Sequence, residues 1–195
     1  MGDFSAISAT SHTLRSLLET YITNETAAPL AGTPIDFRTP EELRVAGVRN
    51  AVSLWCYRVV RCAEVLNRPE TRIPPDKVRR RPFPVELHYL VTPLATASAD
   101  EQTLLGRVLQ VLHDYAVIRG ADIPVSVAPQ LPSEIRVNFE ALTLEELTRV
   151  WHALKADYQL SVSYHVQLVE IDSMKDLRRS APVLKRDAEM VQVVG

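Results

Sequence analysis

The sequence is poor in the residues from which catalytic and nucleotide-binding motifs are built. Only six of its 195 residues are glycine, and none of them forms a glycine-rich loop that could surround a phosphate. There is no G-x-S-x-G segment, and neither cysteine has a local partner that would activate it as a nucleophile. We therefore predict a protein without catalytic residues and without a cofactor.

Metal-binding spacings are also missing. The five histidines form no H-x-x-x-H pair and have no cysteine close in sequence, so we predict no metal site. His88 and His165 fall on the polar faces of predicted strands, where they could become neighbours, and we assign them to a surface or an interface. A small enzyme whose site assembles from His88, His165 and Glu86 stays open as an alternative. It requires a concave pocket with strongly perturbed titrating groups.

The two cysteines and the lack of long apolar runs indicate where the chain works. Cys56 and Cys62 lie six residues apart in a predicted strand, which separates them by about 20 Å. A disulfide allows about 4.4–6.8 Å, so both are predicted to be free thiols, which suits assembly in a reducing cytoplasm. No apolar run approaches the length of about 18 residues that a membrane span needs, and the first residues lack the features of a signal peptide.

The charges are nearly balanced overall but locally clustered. The net charge is −2, so the whole molecule offers no electrostatic attraction for nucleic acid. A basic run from Lys77 to Arg81 ends a polar, proline-rich connection that spans Glu64 to Pro82. We predict a solvated loop or a contact with an acidic protein surface. A nucleic-acid or regulatory binding module built on residues 77–81 is the alternative, although no aromatic residues are interleaved with the charges.

The last part of the chain differs in composition from the rest. We predict a domain over residues 1–172 and a polar C-terminal arm over residues 173–195, whose final apolar residues could add a strand to the sheet edge of a partner. A disordered terminus is the alternative. The predicted interface residues are the basic and apolar positions of the two segments together with the two histidines: Lys77, Arg79, Arg80, Arg81, His88, His165, Arg178, Arg179, Lys185, Arg186, Val191, Val193 and Val194.

Hydrophobic periodicity predicts two helices and two strands in the first two thirds of the chain. An amphipathic helix is expected over Phe4–Ile22, and a strand over Val48–Ala63 is apolar on both faces and therefore central. Pro84–Thr92 reads as a half-buried strand with Glu86, His88 and Thr92 outward. A capping box at Ser98–Glu101 is expected to open a helix that ends at Tyr115, within which Gly106 indicates close packing.

The segment from Glu134 to Ile171 carries the clearest pattern. A second capping box, Thr143–Glu146, begins a helix between two strands of period two, over Ile135–Glu140 and Leu160–Leu168. The apolar stripe of that helix consists of Leu144, Leu147, Val150, Trp151 and Leu154. Helices that alternate with neighbouring strands in this way predict an α+β fold: a small, mostly antiparallel or mixed sheet flanked by helices.

Several ordered motifs resemble one known family. PVELHYLVTPLA at 84–95 and LLGRVLQVLHD at 104–114 come first, and IRVNFEALTLEELTRVWHAL and YQLSVSYHVQLVEI follow in the same order. Together with LRSLL at 14–18 and LWCYRV at 54–59, they resemble the Pvc16 N-terminal family. This family comprises the tail terminators, or caps, of phage-tail-like contractile injection systems. The resemblance covers about Phe4–Asp172.

The resemblance implies a structural part with a phage tail-terminator-like fold. Members of the family are expected to form a ring, six-fold by analogy, that closes the baseplate-distal end of an inner tube and contacts the last sheath ring. The implied partners are further copies of the chain, the inner-tube protein and the sheath protein, in a particle that is assembled in the cytoplasm and can be released from the cell. No nucleic acid and no membrane span are implied.

Overall fold

Helices and strands alternate along the chain in the computed structural model, which describes residues 4–63, 71–73, 77–79, 81–132, 134–175 and 178–179. The helices are α1 (Ala6–Leu18), α2 (Pro40–Val45), α3 (Ser98–Asp114) and α4 (Leu144–Ala153), with a π-helical turn at Glu19–Thr23 that continues α1. The strands are β1 (Ile35–Asp36), β2 (Ala51–Arg61), β3 (Thr71–Ile73), β4 (Lys77–Arg79), β5 (Phe83–Leu94), β6 (Val117–Arg119), β7 (Glu134–Glu140), β8 (Val162–Ile171) and β9 (Arg178–Arg179). In the part of the chain that the structure describes, no helix is long and apolar enough to cross a bilayer.

Six strands form the main sheet, in the order β1-β2-β5-β8-β7-β6. The two residues of β1 run parallel to β2, and every other neighbouring pair is antiparallel. This mixed sheet with its flanking helices confirms the predicted α+β fold. The register of the long strands follows their alternating pattern, because a shift of one residue would turn every apolar side chain to the wrong face.

One face of the sheet holds the main core, against α1 and α3. In α1 the buried stripe is built from Leu14, Leu17 and Leu18 and also from two threonines. Thr10 and Thr13 are tolerated there because each hydroxyl donates to a backbone carbonyl four residues earlier, at 2.8 and 2.9 Å. The predicted helix included Phe4, but α1 begins at Ala6. Phe4 precedes it and is 90% exposed.

The opposite face is covered as well, which the alternation of polar residues in β5 did not indicate. His88, Leu90 and Thr92 share this face and are all buried, so the prediction of a half-buried strand was wrong. At one end of this face Leu43 of α2 packs on Ala51 and Leu94. Polar residues on a strand therefore do not always mark a solvated face.

The strand predicted to be central, β2, lies next to the edge of the sheet. Its first residues are buried beside β1, but β1 pairs only with Val52 and Ser53. Farther along β2 burial decreases, and Val59 is 49% exposed. The register of β2 on β5 also shifts between Cys56 and Arg58, as expected for a β-bulge in an edge position.

The two predicted capping boxes had different outcomes. The box at Thr143 is confirmed: its hydroxyl accepts from the Glu146 amide at 3.3 Å, and the Glu146 carboxylate accepts from the Thr143 amide at 2.8 Å. The box at Ser98 was wrong, because extended Ala97 occupies the N-cap and Ser98 already lies in the first turn. Close packing at Gly106 was also wrong, since a methyl group added there would meet no atom within 4 Å.

Two predicted connections contain strands. The passage at 64–82 includes the hairpin of β3 and β4, and β9 pairs with β4 to complete a three-stranded sheet in the order β3-β4-β9. The irregular passage after Ile118 begins with β6, which pairs with β7. These strands have only two or three residues, too few for periodicity to reveal them.

Candidate interaction surfaces

A polar cluster of five residues crosses four strands on the face of the sheet opposite the main core. Tyr57 comes from β2, His88 from β5, Ser163 and His165 from β8, and Glu140 from β7. One carboxylate oxygen, Oε2 of Glu140, lies 2.7 Å from Ser163 Oγ, 3.0 Å from His88 Nδ1 and 3.3 Å from the Tyr57 hydroxyl. His88 and His165 are cross-strand partners with ring centroids 6.0 Å apart, so the fold brings the two predicted histidines together.

The electrostatics of the polar cluster favour an ionised Glu140. Burial acts to raise the pKa of Glu140, but the hydrogen bonds from His88, Ser163 and Tyr57 outweigh it and hold the pKa below its usual value. Burial raises the pKa of Tyr57, the hydrogen bond with Ser163 opposes this, and the charge of Glu140 adds to it. The cluster at neutral pH is therefore one carboxylate surrounded by donors.

The hydrogen bonds of the polar cluster link neighbouring strands. Their arrangement differs from that of a catalytic nucleophile and its general base. In a Ser-His-acid triad the histidine bridges the hydroxyl and the acid, whereas here the carboxylate is central and Ser163 bonds to it directly. The carboxylate that contacts His88 is that of Glu140, whereas the alternative enzyme site was predicted to use Glu86. His88 is only 7% exposed and so lies at no free surface of the single chain, while its predicted interface role stays a prediction. Among the described residues, no group of three or more metal-ligating side chains could hold an ion.

The small sheet of β3, β4 and β9, here called the basic sheet, joins two basic runs that are far apart in sequence. Its register places Lys77 opposite Arg179 and Val78 opposite Arg178. Residues 70–81 and 175–179 together contain eight Lys and Arg against three Asp and Glu, in a chain whose net charge is −2. The predicted positions Arg80, Lys185, Arg186, Val191, Val193 and Val194 lie outside the described residues, and Arg81 leads into β5.

An apolar groove lies between the end of α3 and β7. It encloses about 650 Å³ and is lined in part by Leu109, Leu112, Val137, Phe139 and Tyr164. Phe139 alternates with polar residues in the strand predicted over Ile135–Glu140, but it is 55% exposed, and its ring meets that of Tyr164 edge-on with the ring centroids 5.5 Å apart. Burial raises the pKa of Tyr164 to about 12. The register of β6 on β7 ends at Arg136, with one further backbone hydrogen bond from Val137 to Ala116, so Phe139 lies beyond the part of β7 that β6 pairs with.

Helix α4 presents a second apolar surface, formed by part of the stripe that helical spacing had predicted. Of its predicted apolar stripe, Trp151 alone is buried, and its indole N–H donates to Ser161 Oγ at 3.0 Å. Leu147 and Val150 are half-buried, and Leu144 is 67% exposed. A stripe with this spacing is the usual signature of core packing, so its exposure became apparent only from the fold.

Comparison with protein families gives one match that spans most of the chain. The family model described as the Pvc16 N-terminal domain matches residues 9–185. A search of curated proteins found no match.

Two solved structures share the fold. The sheath/tube terminator of an extracellular contractile injection system, PVC, in its extended state aligns with a TM-score of 0.66 at 18% identity, over 96% of this chain and 64% of that one. The tube-terminating cap of the anti-feeding prophage, AFP, aligns with a TM-score of 0.61 at 18% identity, over 93% of this chain and 60% of that one. The chain thus spans about three fifths of the length of these two proteins.

Proposed function

The chain belongs to the Pvc16 N-terminal domain family, and from this membership we propose that it is a structural cap of a contractile injection system. Its task is to close the end of the inner tube that is distal to the baseplate and to contact the last sheath ring, which ends polymerisation. The role is structural and involves no catalysis. The family match over residues 9–185 carries this proposal, and the fold shared with a sheath/tube terminator and a tube-terminating cap supports it.

The physical requirement of such a cap is a ring of copies. An interface that joins identical subunits head-to-tail gives a closed ring when the rotation closes and an open filament when it does not. A closed ring on the last tube layer covers the surface to which another layer would bind. We propose that the ring is a hexamer and that its other partners are the inner-tube and sheath proteins.

Two surfaces of the chain suit contacts with these partners. The basic sheet fits an acidic surface of tube or sheath, because opposed charges attract the partner and fix its orientation. The arm over residues 173–195 fits strand addition to a sheath subunit, in which main-chain hydrogen bonds provide the affinity. In this proposal assembly takes place in the cytoplasm, and the finished particle is of a kind that can be released from the cell.

Imaging of particles from cells that lack this chain tests the function directly. Particles with tubes and sheaths of uncontrolled length, or no intact particles, are the expected result, and re-expression of the full chain should restore uniform length. Particles of normal length with normal blunt ends in the deletion strain would contradict a terminating cap. The basic sheet would then be tested for salt-dependent binding to oligonucleotides, which is the alternative function.

A further inference from the structure

We propose that copies of this chain associate head-to-tail, with the exposed apolar face of α4 in one copy contacting the open edge of β2 in the next. The α4 face consists of Leu144, Leu147 and Val150, and the β2 edge consists of residues Arg58–Arg61. This inference rests on the proposed function, since it identifies the contact between neighbouring subunits of the cap. It makes the occupant of both surfaces a second copy of the same chain.

The α4 face has the properties of an interface. The helix has only ten residues, and isolated helices of that length are marginal in water, so packing of the apolar stripe normally stabilises them. In the single chain this packing is mainly that of Trp151, while Leu144, Leu147 and Val150 keep solvent-accessible surface. A contiguous apolar surface of this kind on a monomer marks a site of protein contact.

The β2 edge exposes one apolar side chain, Val59, in a stretch that also exposes Arg58 and Arg61. Beyond Ser53, no strand in the described part of the chain pairs with the outer side of β2. Val59 is half-exposed there. In the chain it lies between Arg58, which is exposed, and Val60, which is partly buried. The bulge next to Tyr57 interrupts the regular ladder, so we infer contact through side chains and not through an added strand.

Charge complementarity favours a second copy as the occupant. The first turn of α4 carries Glu145 and Glu146, beside the α4 face. The β2 edge carries Arg58 and Arg61, and the Arg61 guanidinium lies over the Phe83 ring at 5.7 Å from its centre. The existing pair of Glu145 with Arg149 is fully at the surface and contributes little, so it does not prevent a contact with another arginine. The α4 surface thus carries two glutamates and one arginine beside its apolar residues, and the β2 edge carries two arginines next to Val59 in the chain.

The two surfaces do not cover each other within one chain, since Leu144 is 67% exposed and Val59 is 49% exposed. β2 and β7, which leads into α4, are separated in the sheet by β5 and β8, a distance of about 14 Å for three strand spacings. The β2 edge points away from β7. Because each copy offers one surface of each kind, on different sides, the contact is heterologous and leads either to a ring or to an open chain.

A mixing experiment with two interface variants tests the inference. The α4 variant carries Leu144→Asp and Leu147→Asp, and the β2 variant carries Val59→Asp. A matched control is Val125→Asp, at an exposed valine outside both surfaces. Native mass spectrometry and sedimentation velocity report the oligomeric state, while circular dichroism and thermal unfolding verify that each variant is folded. Arg58→Glu replaces Val59→Asp should the latter fail to fold.

The expected result is an oligomer for the wild type and the control, and monomers for each variant alone. An equimolar mixture of the two variants should form heterodimers, because the intact β2 edge of one binds the intact α4 face of the other. Oligomers in either variant alone would overturn the inference, as would a mixture that stays monomeric. A wild-type chain that is monomeric at every concentration also overturns it.

The result is separable from the cap function. Particle length in cells that express each variant is measured independently of association in solution. Variants that are monomeric in solution but still form normal caps would show that this contact does not join neighbouring subunits of the cap. The proposed function would still stand. Variants that associate as inferred, in a strain whose deletion has no effect on particle length, would refute the function and leave the contact standing.

Discussion

Oε2 of Glu140 lies 3.0 Å from Nδ1 of His88, although the two residues are on strands β7 and β5, which are separated by β8. The same oxygen accepts from Ser163 on the strand between them. Since Glu140 is ionised, the His88 nitrogen acts as the donor in this contact. A single carboxylate therefore ties three neighbouring strands, and its loss leaves several donors without their shared acceptor.

Glu140→Gln should destabilise the fold by about 1–3 kcal/mol, the usual cost of leaving partly buried donors badly paired. The free energy of unfolding of the variant should also fall less at acid pH than that of the wild type. Because folding lowers the pKa of Glu140, its contribution is complete above the ordinary glutamate pKa of 4.5 and is lost as the pH falls below that value. Urea unfolding between neutral and acid pH measures both effects.

The matched control for this prediction is Glu145→Gln, at a glutamate that is three-quarters exposed on α4. It should change the free energy of unfolding by no more than about 0.5 kcal/mol. If both variants showed the same stability and the same dependence on pH, Glu140 would not be a fastening point for the sheet.

Trp151 should be the main anchor of α4. Trp151→Ala is expected to lower the free energy of unfolding by about 3–5 kcal/mol, because it removes the one buried side chain of the helix. Trp151→Phe should cost clearly less, since it keeps apolar packing and loses mainly the hydrogen bond to Ser161. Leu144→Ala serves as the control and should have a small effect in the monomer. Urea denaturation measures the free energy of unfolding of each variant. Equal losses of this free energy for Trp151→Ala and Leu144→Ala would show that the exposed side of α4 is packed after all.

The sequence predicted those parts of the fold that depend on residues close together in the chain. The cap at Thr143 needs only residues three apart, and period two revealed most of β8. Exposure of Phe139 and Leu144 could not be predicted, because it depends on which elements of the fold cover β7 and α4. Helical spacing identifies an apolar face, but it does not reveal whether the same chain or another one buries it.

The candidate surfaces were predictable to a similar extent. The basic runs at Lys77 and Arg178 were recognised separately by composition, while their union in one sheet depends on pairing between residues about one hundred positions apart. Likewise, His88 and His165 were expected on strand faces, but their common neighbour Glu140 was not found, since no local pattern connects it to either. Long-range register is what the sequence alone leaves undetermined.

The basic sheet should act through its charge. A variant with Lys77→Glu and Arg79→Glu is expected to bind isolated sheath or tube more weakly than the wild type, and the wild-type affinity should fall steeply with added salt. Arg44→Glu on α2 is a control with the same change of charge per site at an exposed position of another element. Pull-down of each variant by isolated sheath or tube at several salt concentrations measures the difference in binding. Unchanged binding and unchanged salt dependence in the double variant would mean that these residues are merely solvated.

Removal of residues 174–195 should separate folding from attachment. The truncation takes away β9 but no strand of the main sheet, so the thermal midpoint of the core should shift by only a few degrees. Attachment to sheath should weaken, because the strand-adding arm and the basic pair Arg178–Arg179 are both lost. Normal sheath capping by the truncated chain, scored by imaging of particle ends, would contradict a role for the arm.

The truncation and the basic-sheet variant should also be coupled. Lys77 lies opposite Arg179, so the truncation already removes its cross-strand partner, and residues within one contact network do not contribute additively. The loss of sheath affinity in a truncated chain with Lys77→Glu and Arg79→Glu is therefore expected to be smaller than the sum of the two separate losses. Strict additivity in this double-mutant cycle would indicate that the arm and the β4 residues contact the partner independently. The basic sheet would then be two adjacent sites and not one.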